Sequence, residues 1–303
     1  PPPQPARLTP ALTSPVERPA LPRADTVRDR GVPLAPAVPP RRLPPPAGGG
    51  PAACLSSGRA MARRRVEALL ARGRAWGERS RTAAATAPLL LAESVPGGTS
   101  TAQALLCGLG IDATGLVSGS LRQPAHGLKA ELVARGLAAA AAALATDPPD
   151  PLAVVAAVGD PLQPLAAGLL LAAVAQGRPV LLAGGSQMAA VLALALALAP
   201  AALRPRLAAL AAVATTGWVA HESGSNLALL LERIGERWRV APLGFAASLH
   251  FRRARQSALR DYERGYVKEG VGAGGLALLW ELAGRPPAEL ALLCDRACAR
   301  LRA

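Results

Sequence analysis

Two stretches of this 303-residue chain hold residue types that could do chemistry. The first is residues 93–101, ESVPGGTST. Gly97 and Gly98 permit backbone angles or close approaches that a Cβ would block. Thr99, Ser100 and Thr101 place hydroxyl donors where a helix begins. The first amides of a helix have no internal partners, and its dipole favours negative charge there, so the turn reads as an anion cradle. Glu93, just before it, could accept a hydrogen bond from a sugar hydroxyl. A plainer reading is that Thr99 caps a helix and the glycines only make the turn. The second stretch is residues 266–275, YVKEGVGAGG. Glu269 sits among Gly270, Gly272 and two further glycines, in a backbone that must pass close to something. A carboxylate held in such a loop over a cleft is a natural general base. The alternative is a salt-bridged turn with Lys268 and Glu269 as adjacent charges.

The elements around these stretches repeat one grammar, an apolar strand, a small polar turn, then a helix. Strands are expected at residues 89–91, around 115–117, and at 152–158, 179–183, 207–214 and 239–245. Helices are expected over residues 55–81, 102–109, 128–144, 162–175, from 188 onward and over 276–283. The pattern predicts a doubly wound, mostly parallel α/β sheet with helices on both faces. Ligands in such sheets bind outside the carboxyl ends of the strands. The turns carrying Glu93 to Thr101, Gly159 and Asp160, Gly184, Gly185 and Gln187, and Thr215 and Thr216 should therefore line one cleft.

Composition narrows the partners. The net charge of +14 is concentrated in residues 1–85, and 32 of the 34 basic residues are Arg in an Ala-rich chain. Coding bias explains this more simply than nucleic acid does, and two Phe, two Tyr and four Trp offer few stacking platforms. No nucleic-acid partner is expected. The apolar runs at residues 165–175 and 188–199 are too short to span a bilayer, so no membrane partner is expected either. The four cysteines and three histidines are scattered without ligand spacing; free thiols in a cytoplasmic protein, with no metal and no cofactor, are the expectation. Residues 1–42 are rich in Pro and Arg and read as an irregular arm. The chain opens on Pro rather than Met, as a fragment or processed product would. The remainder divides into a helical part at 43–86, a wound α/β domain at 87–250 and a C-terminal helical segment at 251–303. Assembly as a homodimer is left open.

Taken together, AESVPGGTSTAQALL, VGDPLQPLAAG, PVLLAGGSQMAAVLAL, ATTGWVA and YVKEGVGAGG, in this order over about residues 43–284, resemble a known group. It is the nicotinate mononucleotide-dependent phosphoribosyltransferase-like family of archaea and cyanobacteria, related to the nicotinate-nucleotide:dimethylbenzimidazole phosphoribosyltransferases of cobalamin synthesis. The resemblance implies a wound α/β domain plus a smaller domain built from the chain's two ends. It implies transfer of phosphoribose from nicotinate mononucleotide to a benzimidazole or purine base, giving an α-linked nucleotide of the kind used as a cobamide lower ligand. It further implies that Glu269, in EGVG, is the base, and that Gly98 to Ala102 match the family's phosphate-binding G-N-T-T-A turn with Glu93 as its upstream acid. Glu93, Asp160 and Gln187 become candidates for ribose or base contacts. Two departures stand out: PGGTST differs from the bacterial turn, and a Pro/Arg arm replaces a longer N-terminal segment with its own strand. A nucleotide-binding sensor that keeps the cleft without catalysis, and a hydrolase using the same cradle, remain open.

Overall fold

The computed structural model describes residues 8–10, 50–79, 88–269 and 272–301. Among them five parallel strands form one sheet, β1 (Leu8–Pro10), β2 (Leu89–Ala92), β3 (Val180–Ala183), β4 (Ala211–Thr216) and β5 (Leu243–Ala247), in the order β1-β5-β4-β3-β2. From β2 to β5 each strand lies beside the previous one, so the chain advances across the sheet in one direction. β4 is buried along its whole length, as a central strand covered on both faces must be.

Helices supply those covers. On one face α5 (Leu162–Ala175), α6 (Ser186–Leu198) and α9 (Leu227–Trp238) join α2 (Gly98–Gly108) around the larger core. Residues Ser186 to Leu196 of α6 are all buried, which explains why its sequence is apolar on every side. α1 (Arg63–Arg79) packs along α5. On the other face α11 (Ala273–Leu282) crosses β3, β4 and β5, with α12 (Pro287–Arg300) behind it. A smaller core of Ala214, Ala247, Leu249, Phe251, Ala277 and Leu278 fills that side.

Four expectations are corrected. Residues 152–158 form a helix, α4 (Pro151–Val158), not a strand. Asp150 accepts a hydrogen bond from the Leu152 amide at 3.0 Å and Pro151 occupies the first turn, and this start signal outweighs the strand propensity of Val154 and Val155. Residues 115–117 make a turn, with Gly115 at φ +73° and the Leu116 amide bonded to Ala113. The segment from 207 begins inside a helix, α7 (Arg204–Leu210), and becomes strand only at Ala211. The last strand starts at Leu243 rather than 239, because Arg239 (φ 54°) terminates α9. Within the arm expected to be irregular, Leu8–Pro10 pairs with β5 at the sheet edge, where proline is tolerated; residues 11–42 lie outside the described residues. No helix among the described residues is long and apolar enough to cross a membrane.

Candidate active site

Strand register builds the site. Ala92 pairs with Ala183 and Ala183 with Ala214, so the residues that follow, Glu93, Gly184 and Thr215, emerge side by side at the carboxyl edge. The Glu93 side chain lies across Gly184: a Cβ on that glycine would meet Glu93 Cγ at 2.8 Å. Glu93 is 9% exposed. Burial first, then the Glu269 carboxylate, and more weakly Asp160, push its pKa from 4.5 up to about 7, against a lowering hydrogen bond from the Val95 amide.

Beyond Glu93 the chain turns through Gly97 (φ +72°) and enters α2 at Gly98, with the Gly98 amide bonded to Val95 at 3.0 Å. No side chain caps α2; the Gly98 and Ser100 amides bond the Val95 and Gly97 carbonyls, so what this end of the helix offers an anion is its dipole together with the hydroxyls of its first turn. Gln187, near the start of α6, donates to the Val95 carbonyl at 3.2 Å. It passes so close to Gly98 that a Cβ there would fall 1.7 Å from Nε2. Gln187 therefore supports the turn from below, and its Oε1 is buried without a hydrogen-bond partner. Thr101 donates to Asp160 Oδ2 at 2.5 Å, and Asp160 Oδ1 accepts from the Leu162 and Gln163 amides that open α5. Asp160 thus ties two helix N-termini together. Burial raises its pKa while the Thr101, Gln163 and Leu162 hydrogen bonds oppose the rise.

Glu269 closes the rim from above. Its Oε2 accepts from the Thr216 amide at 3.1 Å and from Thr215 Oγ1 at 3.2 Å, and its Oε1 accepts from the Gly274 amide at 3.2 Å. The carboxylate is therefore clamped between the end of β4 and the start of α11. The late glycines do pass close to something: Cβ atoms at Gly272 and Gly274 would lie 2.4 Å from the Ala92 methyl and 2.1 Å from the Thr215 carbonyl carbon. Glu269 is held on Thr215 and Glu93 lies across Gly184 at the neighbouring strand end, so the two acids share one rim. Gly270 lies outside the described residues, and Gly185, before α6, lies near Val219 and Thr215.

Sequence reasoning missed a buried charge cluster behind this rim. Lys268 is 2% exposed, pairs with Glu222 at 2.5 Å and donates to the Leu121 carbonyl at 2.8 Å. Lys129 is 5% exposed and donates to the Val117 and Ser118 carbonyls at 3.1 and 2.5 Å. Burial, and to a lesser extent Lys268, lower its pKa to about 8, against the pull of Glu222. One signal could have found them. In a chain with 34 basic residues only these two are Lys, and Lys does what Arg cannot, offering a compact ammonium able to lose its proton. Among the described residues no three His, Cys, Asp or Glu side chains form a metal-binding group.

A family model described as phosphoribosyltransferase matches residues 49–216. A UPF0284 protein of Prochlorococcus marinus (strain MIT 9313) is 48% identical over 99% of this chain and 74% of its own length. A UPF0284 protein of Parasynechococcus marenigrum (strain WH8102) is 48% identical over 100% of this chain and 75% of its own. Among solved structures, nicotinate-nucleotide-dimethylbenzimidazole phosphoribosyltransferase from Thermus thermophilus superposes with a TM-score of 0.51 at 25% identity, over 77% of this chain and 58% of that one. CobT from the same organism gives 0.52 at 24% identity, a likeness of fold, over 79% of this chain and 60% of that one. The chain therefore spans less than two thirds of those solved structures and about three quarters of the two relatives.

Proposed function

The chain belongs to the phosphoribosyltransferase family, and from that premise we propose that its rim transfers phosphoribose from nicotinate mononucleotide to a benzimidazole or purine base, with Glu269 as general base. One observation carries the reading: the clamped Glu269 carboxylate and the uncapped start of α2 share a rim with Glu93, Asp160 and Thr101.

The residues divide the work by their chemistry. The positive end of the α2 dipole and the hydroxyls of Thr99 and Ser100 suit the phosphate. The three donors around Glu269 suit a carboxylate rather than its acid. Glu93, titrating near neutrality, can hold a ribose hydroxyl in either protonation state and, when ionised, supports positive charge at the sugar. The acceptor nitrogen attacks C1′ as the bond from C1′ to the pyridinium nitrogen breaks. That electron pair returns to the pyridine ring, and the proton on the acceptor's other ring nitrogen passes to Glu269. Inversion at C1′ gives an α-linked nucleotide, α-ribazole phosphate where the base is dimethylbenzimidazole.

The test is incubation with nicotinate mononucleotide and dimethylbenzimidazole, benzimidazole or adenine, with products read by mass. Glu269→Gln should lower nicotinate release by roughly 100-fold or more while leaving mononucleotide binding nearly intact. Nicotinate released without any base would make the protein a hydrolase. Binding with no turnover in the unmodified chain would make it a sensor.

A further inference from the structure

Two residues before Glu269 the backbone adopts a costly conformation. Val267 has φ +52°, a left-handed angle that a β-branched side chain strongly disfavours. Its side chain is exposed, so burial of its own methyls gives nothing in return. Neighbouring residues hold the turn instead. The Val267 amide donates to the Ser120 carbonyl at 3.0 Å. The buried Lys268 ammonium reaches Glu222 and the Leu121 carbonyl, while the Lys268 carbonyl accepts from the Thr216 hydroxyl at 2.5 Å. The Thr216 amide in turn donates to the Glu269 carboxylate at 3.1 Å. Thr216 therefore grips two successive residues, Lys268 by its main chain and Glu269 by its side chain.

The segment to which Lys268 is tied is itself fixed by several other elements. The Ser118 amide donates to the Ser186 hydroxyl at 3.0 Å, and the Asn226 amide to the Leu116 carbonyl at 3.1 Å. Lys129 donates to the carbonyls of Val117 and Ser118. Residues 116–121 are thus an anchor. Taking an ion pair out of water has a cost that apolar neighbours would avoid, so stability alone does not account for Lys268 and Glu222. Direction does. The pair sets where residue 268 lies, and the left-handed turn before it and the carboxylate after it follow. We infer that Lys268 is a positioning residue, whose buried ammonium, held by Glu222 and the Leu121 carbonyl, fixes the strained Val267 turn and so aims Glu269 into the rim. The inference rests on the transfer reading for its consequence in turnover, and on the contacts alone for the anchoring.

The test uses the full chain with Lys268→Met and Glu222→Leu together, which removes both charges of the pair at once. Hydrogen exchange is read at the Thr216 and Gly274 amides, both bonded to Glu269, and at amides in the middle of β4. The two should exchange about tenfold faster, as a local opening would allow, while the interior of β4 keeps its protection. With nicotinate mononucleotide and dimethylbenzimidazole, kcat should fall about 100-fold, the scale of a reacting group misplaced by about 1 Å, and the KM for the mononucleotide should stay unchanged. Glu222→Gln, which keeps the size of that side chain, should show the same pattern with about a tenfold loss in kcat, the scale of one weakened charged hydrogen bond. It decides the question should the double variant fail to fold. Unchanged exchange at the two amides, faster exchange throughout β4, or an unchanged kcat where the unmodified chain transfers, overturns the assignment. An unmodified chain that transfers nothing refutes the transfer reading, and selective exchange at Thr216 and Gly274 would still establish the anchor.

Discussion

Glu93→Gln should stabilise the protein in alkaline solution and do nothing in acid. The folded pKa of Glu93 is about 7 against an ordinary 4.5. The folded state therefore holds this proton more tightly than the unfolded chain, and the group's stabilising contribution is full below about 4.5 and lost as pH rises through about 7. At about 1.4 kcal/mol per tenfold change in proton affinity, the difference is at most roughly 3 kcal/mol, and about 2 kcal/mol once the open side of the rim is allowed for. Gln mimics the protonated acid and carries no such penalty. At pH 8 the variant should unfold about 3 °C higher than the unmodified protein, by the entropy scale of a chain this long; at pH 4.5 the two should coincide. Thermal denaturation followed by circular dichroism at both pH values reads the result. In a Glu269→Gln background the alkaline gap should narrow but persist, because burial, the largest cause, remains. Equal melting at pH 8, or the same gap at both pH values, would refute the claim that an ionised Glu93 is held at a cost.

Gly98→Ala places a methyl 1.7 Å from Gln187 Nε2. Gln187 must swing off Val95, and mononucleotide affinity measured by calorimetry should fall about tenfold, the worth of one charge-assisted hydrogen bond. Lys268→Met strands Glu222 in a buried site and should cost about 3–5 kcal/mol in a denaturant or thermal melt, whereas replacing Lys268 and Glu222 together by apolar residues should recover most of it.

What could be read in advance followed from local chemistry. The glycines of residues 97–98 and the polar residue after each strand announce the rim, because parallel strands end together and each turn must leave on the same side. What could not be read depended on remote partners or on an ambiguous period. An apolar run the length of 152–158 suits a strand or a buried helix equally; only Asp150 and Pro151 decide it, and they read first as a breaker. The ion pair of Lys268 with Glu222 joins residues far apart in sequence, so no local pattern marks it. The pairing of Leu8–Pro10 with β5 is hidden by the prolines around it.

The charge of the rim raises a physical objection to a phosphate-bearing substrate, since Glu93, Asp160 and Glu269 are three acids near one anion. Position and protonation answer it. Asp160 is occupied by Thr101 and by the first amides of α5, so its charge is spent inside the scaffold. Glu93 titrates near neutrality and can stay protonated until positive charge develops at the sugar. Behind them Lys129 and Lys268 lie buried with Glu222, and Lys129 loses its proton near pH 8. Phosphate affinity should therefore weaken as pH climbs past about 8. On the proposed reading, Glu93 at the tip of β2 and Glu269 clamped onto the end of β4 are there to steady a transient sugar cation beside the phosphate, a role that anion binding alone would not call for.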